Sequence, residues 1–284
     1  MKKSPVFIAL ALTSLALAPA CGGDDDDDVV VNPPSGKIAK LLQDGRSVTI
    51  QGGTTWRDIE SGSVTLNKGA VLTIEDGASI DIDEGNLVVN AGASIVIRGE
   101  DSEIWMETGD VTANSGALIE IEDKATLKMR QGSMTLNGAS VVVRGDVDVK
   151  KDLTLNAGSS LDVGLKGHVD VYGDMKMNAP DAMIHNLNEF YVGGTLTINS
   201  GTFHNGTDDT SVQRTGGLDD YDVSCDFLEL NGGEARFINY DPWVAYIFRN
   251  LSVNSGTVTN QGKMTAVSCT INGGTVSEGI CPAQ

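Results

Sequence analysis

Asp208, Asp209, Asp219, Asp220 and Asp222 crowd one short stretch of the chain, and carboxylate oxygens are what Ca²⁺ gathers, about six to eight at a time. The stretch has neither the spacing of a helix–loop–helix calcium hand nor a glycine-rich nonapeptide, so a solvated acidic loop is the competing reading. Further on, Tyr240, Trp243 and Tyr246 concentrate rings in a chain where aromatics make up only 5% of residues. They would serve as a platform for stacking a sugar or a partner, or as a plug folded back on the coils at that end. His185 and His204 each precede an asparagine, and two imidazoles at equivalent positions could bind a transition metal if a third ligand joined them. Cys225, Cys269 and Cys281 allow a bridge from Cys269 to Cys281 or from Cys225 to Cys269, and either choice leaves one thiol over. No cofactor is implied beyond a Ca²⁺ ion at the aspartates.

The elements that must position these residues are set by one phrase, G-[A/S]-x-[I/L/V]-x-[I/V]. It returns at Gly69–Ile74, Gly77–Ile82, Gly92–Ile97, Gly116–Ile121, Gly138–Val143 and Gly158–Val163. Most copies follow an asparagine, at Asn67, Asn90, Asn114, Asn137 and Asn156, and the column continues through Asn178, Asn199, Asn231, Asn254 and Asn272. A fixed period of this kind marks a repeat architecture. Asparagine tolerates left-handed backbone and its amide can bond to the same amide in the next coil, so the column reads as a stacked corner. Glu75, Arg98, Glu122 and Arg144 follow the second strand of successive coils, and their alternating signs predict ion pairs from coil to coil.

Aligned on the asparagines, each coil offers three short strands, such as Val64–Leu66, Val71–Ile74 and Ser79–Ile82. Within strands apolar and polar residues alternate, as in Ile80-Asp81-Ile82 and Val169-Asp170-Val171, which puts aliphatics inside and charges outside. The pattern predicts an all-β chain: a single-stranded right-handed parallel β-helix of about ten three-strand coils, each of roughly 19 to 24 residues, forming a rod roughly 45 to 50 Å long. It resembles the β-helix of pectin-lyase-like proteins and bacterial surface adhesins from Ser47 onward, a resemblance of fold that hosts many unrelated functions. Residues 37–62 read as a short amphipathic helix, Lys37–Gly45, capping the open end with Trp56 beneath it, followed by an irregular first coil. Residues 63–284 are the β-helix, with loop insertions near 205–226 and 239–248.

Upstream, Lys2 and Lys3 precede the apolar run Val6–Leu17 and small residues up to Ala20, the pattern of a secretory signal over residues 1–20. Leu17-Ala18-Pro19-Ala20-Cys21 resembles the lipobox of bacterial lipoproteins, with the usual leucine one place early. The resemblance implies cleavage before Cys21 and its lipidation. Residues 21–36 would then be a tether, with Asp24–Asp28 self-repelling and Pro33-Pro34 stiff. An acidic segment after a lipidated cysteine resembles a surface-export signal, which implies the outer leaflet of the outer membrane; a plain spacer on the periplasmic face is the alternative.

The formal net charge is −19; a leader removed with its two lysines leaves −21, and setting aside the five-aspartate run leaves −16 on the body. Such a surface repels nucleic acid and anionic lipid headgroups. Acids are spread over every face, and no Ser-His-Asp set, metal triad or phosphate loop is spaced for catalysis. The expectation is a non-catalytic, membrane-anchored structural or adhesive scaffold, with a protein or polysaccharide partner at the envelope and end-to-end self-association available. The alternative is a polysaccharide-active or carbohydrate-binding β-helix.

Overall fold

The computed structural model describes residues 29–53, 55–56, 63–209, 211–212 and 222–282. Its organising feature is alternation. Val71–Ile74, Ser94–Ile97, Leu118–Ile121 and Ser160–Val163 each bury every second side chain, so each strand has one face to hide. They pair in parallel without slippage, Leu72 with Ile95, Ile119, Val141 and Leu161 in turn. Repeating this for all three strands of a coil gives three parallel sheets around one aliphatic core. The chain is a parallel β-solenoid of about 10 turns.

The first sheet begins with Val64–Leu66 and Leu87–Val89, the second with Val30–Val31 and Val48–Ile50, the third with Thr55–Trp56 and Ser79–Glu84. Toward the C-terminus the corners straighten and strands fuse. Glu189–Asn205 serves all three sheets, pairing Phe190 with Val169, Leu196 with Met175 and Phe203 with Ile184. There the core turns aromatic: Phe190 meets Phe203 edge-on at 5.3 Å, and Phe203 stacks on Phe237 at 5.2 Å.

Each corner needs partners for polar groups that leave the sheets, and each finds them one coil away. Between the first and second sheets every asparagine of the column donates Nδ2–H to the Oδ1 of its predecessor, from Asn90 to Asn67 at 3.0 Å down to Asn272 to Asn254 at 2.7 Å. The left-handed backbone, however, belongs to the glycine that follows, at Gly69, Gly92 and Gly116, and not to the asparagine. The asparagine ends its strand in regular geometry, which aims its amide along the stack, and the reversal falls to the next residues.

The other two corners carry rows that the repeat phrase does not announce. Between the third and first sheets, Asn86 Oδ1 accepts Asp110 N–H (2.8 Å), Asp110 accepts Ser133 N–H (2.8 Å), and Asp152 accepts Asp174 N–H (2.9 Å). Gly109 is required there, because a Cβ would sit 1.9 Å from the Gly85 carbonyl. Between the second and third sheets, Asn186 donates to Asn205 (2.9 Å), Asn205 to Asn239 (2.6 Å) and Asn239 to Asn260 (2.8 Å). Asn186, Asn205 and Asn239 are fully buried, and their donors point toward the C-terminus, opposite to the first row.

The outward ion pairs follow the predicted column in part. Arg98 reaches back to Glu75 through Nε (2.6 Å) and Nη2, but Arg144 takes Glu120 at 2.5 Å instead of Glu122. Glu120 projects outward from mid-strand one coil back, within reach of a guanidinium that Glu122, at the corner, does not meet.

At the N-terminal end the helix is Ser35–Gln43, two residues earlier than the Lys37 start expected. It buries Ile38 and Leu42 and ends at Gly45, whose φ is 79°. Val30–Val31, read above as tether, adds a parallel strand against Val48–Thr49, because the second sheet leaves an edge there. The Trp56 side chain lies outside the described residues. At the far end Cys269 and Cys281 form a disulfide, Cys225 stays a buried thiol, and Ile280 is buried against the last coil.

Asn205→Ala would take away the buried amide that donates to Asn239 Oδ1 and Val244 O. It is expected to destabilise the rod by about 2 to 3 kcal/mol, and Asn156→Ala in the outer row by about 1 kcal/mol. Equal losses in chemical denaturation would contradict the difference in burial.

Candidate functional site

The coil is interrupted after Asn205, and chemistry-bearing side chains gather around that break. In the second sheet the outward register runs Val142, Asp162, His185, His204 and Ile238 in successive coils, because Val141, Leu161, Ile184 and Phe203 beside them point inward. The two histidines are therefore stacked neighbours, edge to face with ring centres 6.3 Å apart. His185 places Nδ1 3.6 Å from Asp162 Oδ1 and Nε2 3.1 Å from the Gly206 carbonyl oxygen. His204 lies flat against Tyr240, centroids 5.9 Å apart, with Nδ1 3.1 Å from the phenol oxygen.

Burial, then the neighbouring His185, hold His204 below the usual imidazole value, with Asp208 opposing. Burial, then Asp208, push Tyr240 up. The His204–Tyr240 contact is thus between neutral groups at neutral pH. Among the described residues no three His, Cys, Asp or Glu side chains come together as a metal site, so the histidine pair finds no third ligand there.

Among the described residues, Asp208, Asp209 and Asp222 form no group of three that could hold a metal ion. Asp222 is buried and its Oδ2 accepts the Val244 N–H at 2.6 Å, which starts the next third-sheet strand. Asp209 is exposed and folds onto Ser211, accepting its N–H (2.9 Å) and hydroxyl (2.7 Å), which lower its pKa. Asp208 faces the Tyr240 side. Asp219 and Asp220 lie outside the described residues.

Tyr240, Trp243 and Tyr246 do not make one stacking platform. Trp243 is 1% exposed, wedged under the point where the loop leaves: a Cβ on Gly206 would lie 2.3 Å from its ring, and Gly206 has φ 89°. Tyr240 is occupied by His204, and Tyr246 packs edge-on against Phe248 at 4.8 Å. The expected bulge 239–248 is only a tight turn, with Trp243 N–H bonded to Tyr240 O at 2.8 Å. From Val244 the chain is already in register, Ala245 against Val223.

What the break does build is a groove of about 520 Å³ beside His185. Val142, Leu165, Leu187 and Val212 supply apolar walls, and Arg144 and Lys166 stand at its rim with their charges met by Glu120 (2.5 Å) and Asp123 (2.6 Å). Its cations are already paired and Asp162 also lines it, so the recess suits a partly apolar group that can donate hydrogen bonds to that carboxylate. Sequence reasoning found the histidine pair and the loop but not the groove, whose walls come from three coils and the loop together.

A second polar cluster lies on the third sheet. His168 Nε2 is 3.1 Å from Asp170 and 3.6 Å from Glu189, with Nδ1 3.8 Å from Asp146. The hydrogen bond to Asp170 raises its pKa against the opposing effect of burial. Burial pushes the Cys225 thiol up, so it stays protonated and unreactive. Cys21 lies outside the described residues. Comparisons with protein families, with curated proteins and with solved structures found no match for this chain.

The two histidines should respond to pH in opposite senses. His168 titrates above its unfolded value of 6.5, so its stabilisation is full below pH 6.5 and is lost as pH rises through the folded value. His204 titrates below 6.5, so its contribution is full above that pH and is lost on acidification. NMR titration of the ring protons is expected to order them in this way; a His204 value above that of His168 would refute the assignment.

Proposed function

We propose that the chain is a non-catalytic scaffold, a β-solenoid rod lipidated at Cys21 and displayed on the outer face of a bacterial outer membrane for adhesion or envelope structure. The observation that carries the reading is the sequence order: a basic and apolar leader, the Leu17-Ala18-Pro19-Ala20-Cys21 junction, an acidic run, and then a rod closed at its near end by a helix. The rod's own chemistry supports it. Side-chain rows at the corners and ion pairs along the outer faces, such as Arg98 with Glu75 and Lys128 with Asp148, join one coil to the next and stiffen a long body.

The mature protein is expected to carry acyl chains on Cys21 by mass spectrometry, and protease added to intact cells is expected to digest the rod. An unmodified Cys21 would remove the anchor from the proposal, and a protected rod would move it to the periplasmic face. The groove beside His185 favours a second reading, a carbohydrate-binding β-helix, since a partly apolar recess with Asp162 and His185 in its lining can take a sugar ring and meet its hydroxyls. Glycan-array binding that Leu187→Asp abolishes would favour that reading, and release of new reducing or unsaturated ends would replace the scaffold with an enzyme.

A further inference from the structure

At the N-terminal end the first sheet is covered. The helix lies over the first coil, Asn67 donates its N–H to Leu42 O (3.1 Å) and its Nδ2–H to Gln43 O (2.6 Å), and Val30–Val31 covers the second sheet's edge. At the C-terminal end the first sheet is not finished. In coil after coil, the carbonyl before the asparagine accepts the N–H of the next coil's asparagine: Leu66 from Asn90 (3.0 Å), Leu230 from Asn254 (2.9 Å), Val253 from Asn272 (3.0 Å). Ile271 holds that position in the last coil, so its carbonyl points off the end, where the described residues supply no donor.

The strand Lys263–Ile271 pairs on one side with Val244–Val253. On its open side the described chain returns to meet it at Ala266, whose N–H donates to Ile280 O at 3.3 Å, and Cys281 is bridged to Cys269 against the core, while the backbone of Ser268–Ile271 takes no hydrogen bond on that side from the described residues. Three exposed apolar side chains lie at the same place. Ile271 belongs to a core column yet is 52% exposed, Val267 is 55% exposed, and Phe248, opposite the irregularity at Val267, is 41% exposed.

We infer that this edge, Ser268–Ile271 with Val267 and Phe248 beside it, docks a second copy of the chain, C-terminal face to C-terminal face. An open strand edge is recognised by another strand through backbone hydrogen bonds. Charge selects which strand. Residues 244–282 contain three charged side chains, Arg249, Lys263 and Glu278, which sum to +1 in a chain of net −19. A basic partner is drawn to the acidic flanks, whereas an equally acidic copy can approach only at this face. The helix fixes the arrangement: it covers the first-sheet edge at the opposite end, so this edge cannot pair there head to tail, and the contact is two-fold and closes at two copies. For its biological meaning the inference rests on the anchor proposed above, because the tethers then leave from opposite ends of the dimer and it joins two membranes.

The full lipidated chain in detergent is expected to sediment as a dimer. Val267→Asp together with Ile271→Lys is expected to raise the dissociation constant by about 30-fold or more. Both side chains are over half exposed, so the thermal melt should hold, and it serves as the folding control. Vesicles carrying the same chain are expected to clump, and those carrying the double variant to stay dispersed. A monomer at high concentration, a dimer indifferent to the double variant, or a ladder of larger oligomers would each overturn the inference. A dimer in detergent with dispersed vesicles would leave the docking face standing and remove the membrane-joining role.

Discussion

Everything in this chain depends on consecutive coils staying in register. A parallel strand of three or four residues holds few hydrogen bonds, and a slip of one residue would turn its aliphatic side chains to water. The side-chain rows prevent it. An asparagine amide that donates upward and accepts from below fixes one coil on the next at a single position, and a row of such amides polarises along its length. The three corners solve the problem with different chemistry: amide to amide on the outside, amide to amide in the interior, and side-chain oxygen to backbone N–H at the third.

The candidate site lies where that regularity is broken. The departure of the chain after Asn205 frees the outward side of the second sheet from short corners and leaves His185 on a groove, with His204 packed against His185 and Tyr240 against His204. Trp243, which the composition singled out, holds the break open from below by filling the space beneath Gly206. A large ring at a loop junction can as readily be the wedge that shapes a site as a surface that binds in it.

The fold was legible because its determinants are local and repeated. Each strand from Val64 to Val171 announces itself by alternation, and the outer asparagine row by its period. The inner row Asn186, Asn205, Asn239 and Asn260 escaped because its separations are 19, 34 and 21, and the loop insertion hides the middle one. The fate of the site residues was less legible for a related reason. Whether Asp222 binds an ion or caps a strand depends on the Val244 amide, brought near only by closure of a coil. The partner of Arg144 was likewise decided by which carboxylate stands one coil below, a matter of corner geometry.

The opposed directions of the two amide rows have an electrical consequence. Side-chain amides all aligned along an axis add their dipoles, so the outer row gives the first coils a polarity with its positive pole at the helix, whose carbonyl end is negative. From Asn186 onward the inner row runs antiparallel to the outer one and cancels it. The side-chain amide dipoles therefore add along the axis near the capped end and oppose one another toward the C-terminal end.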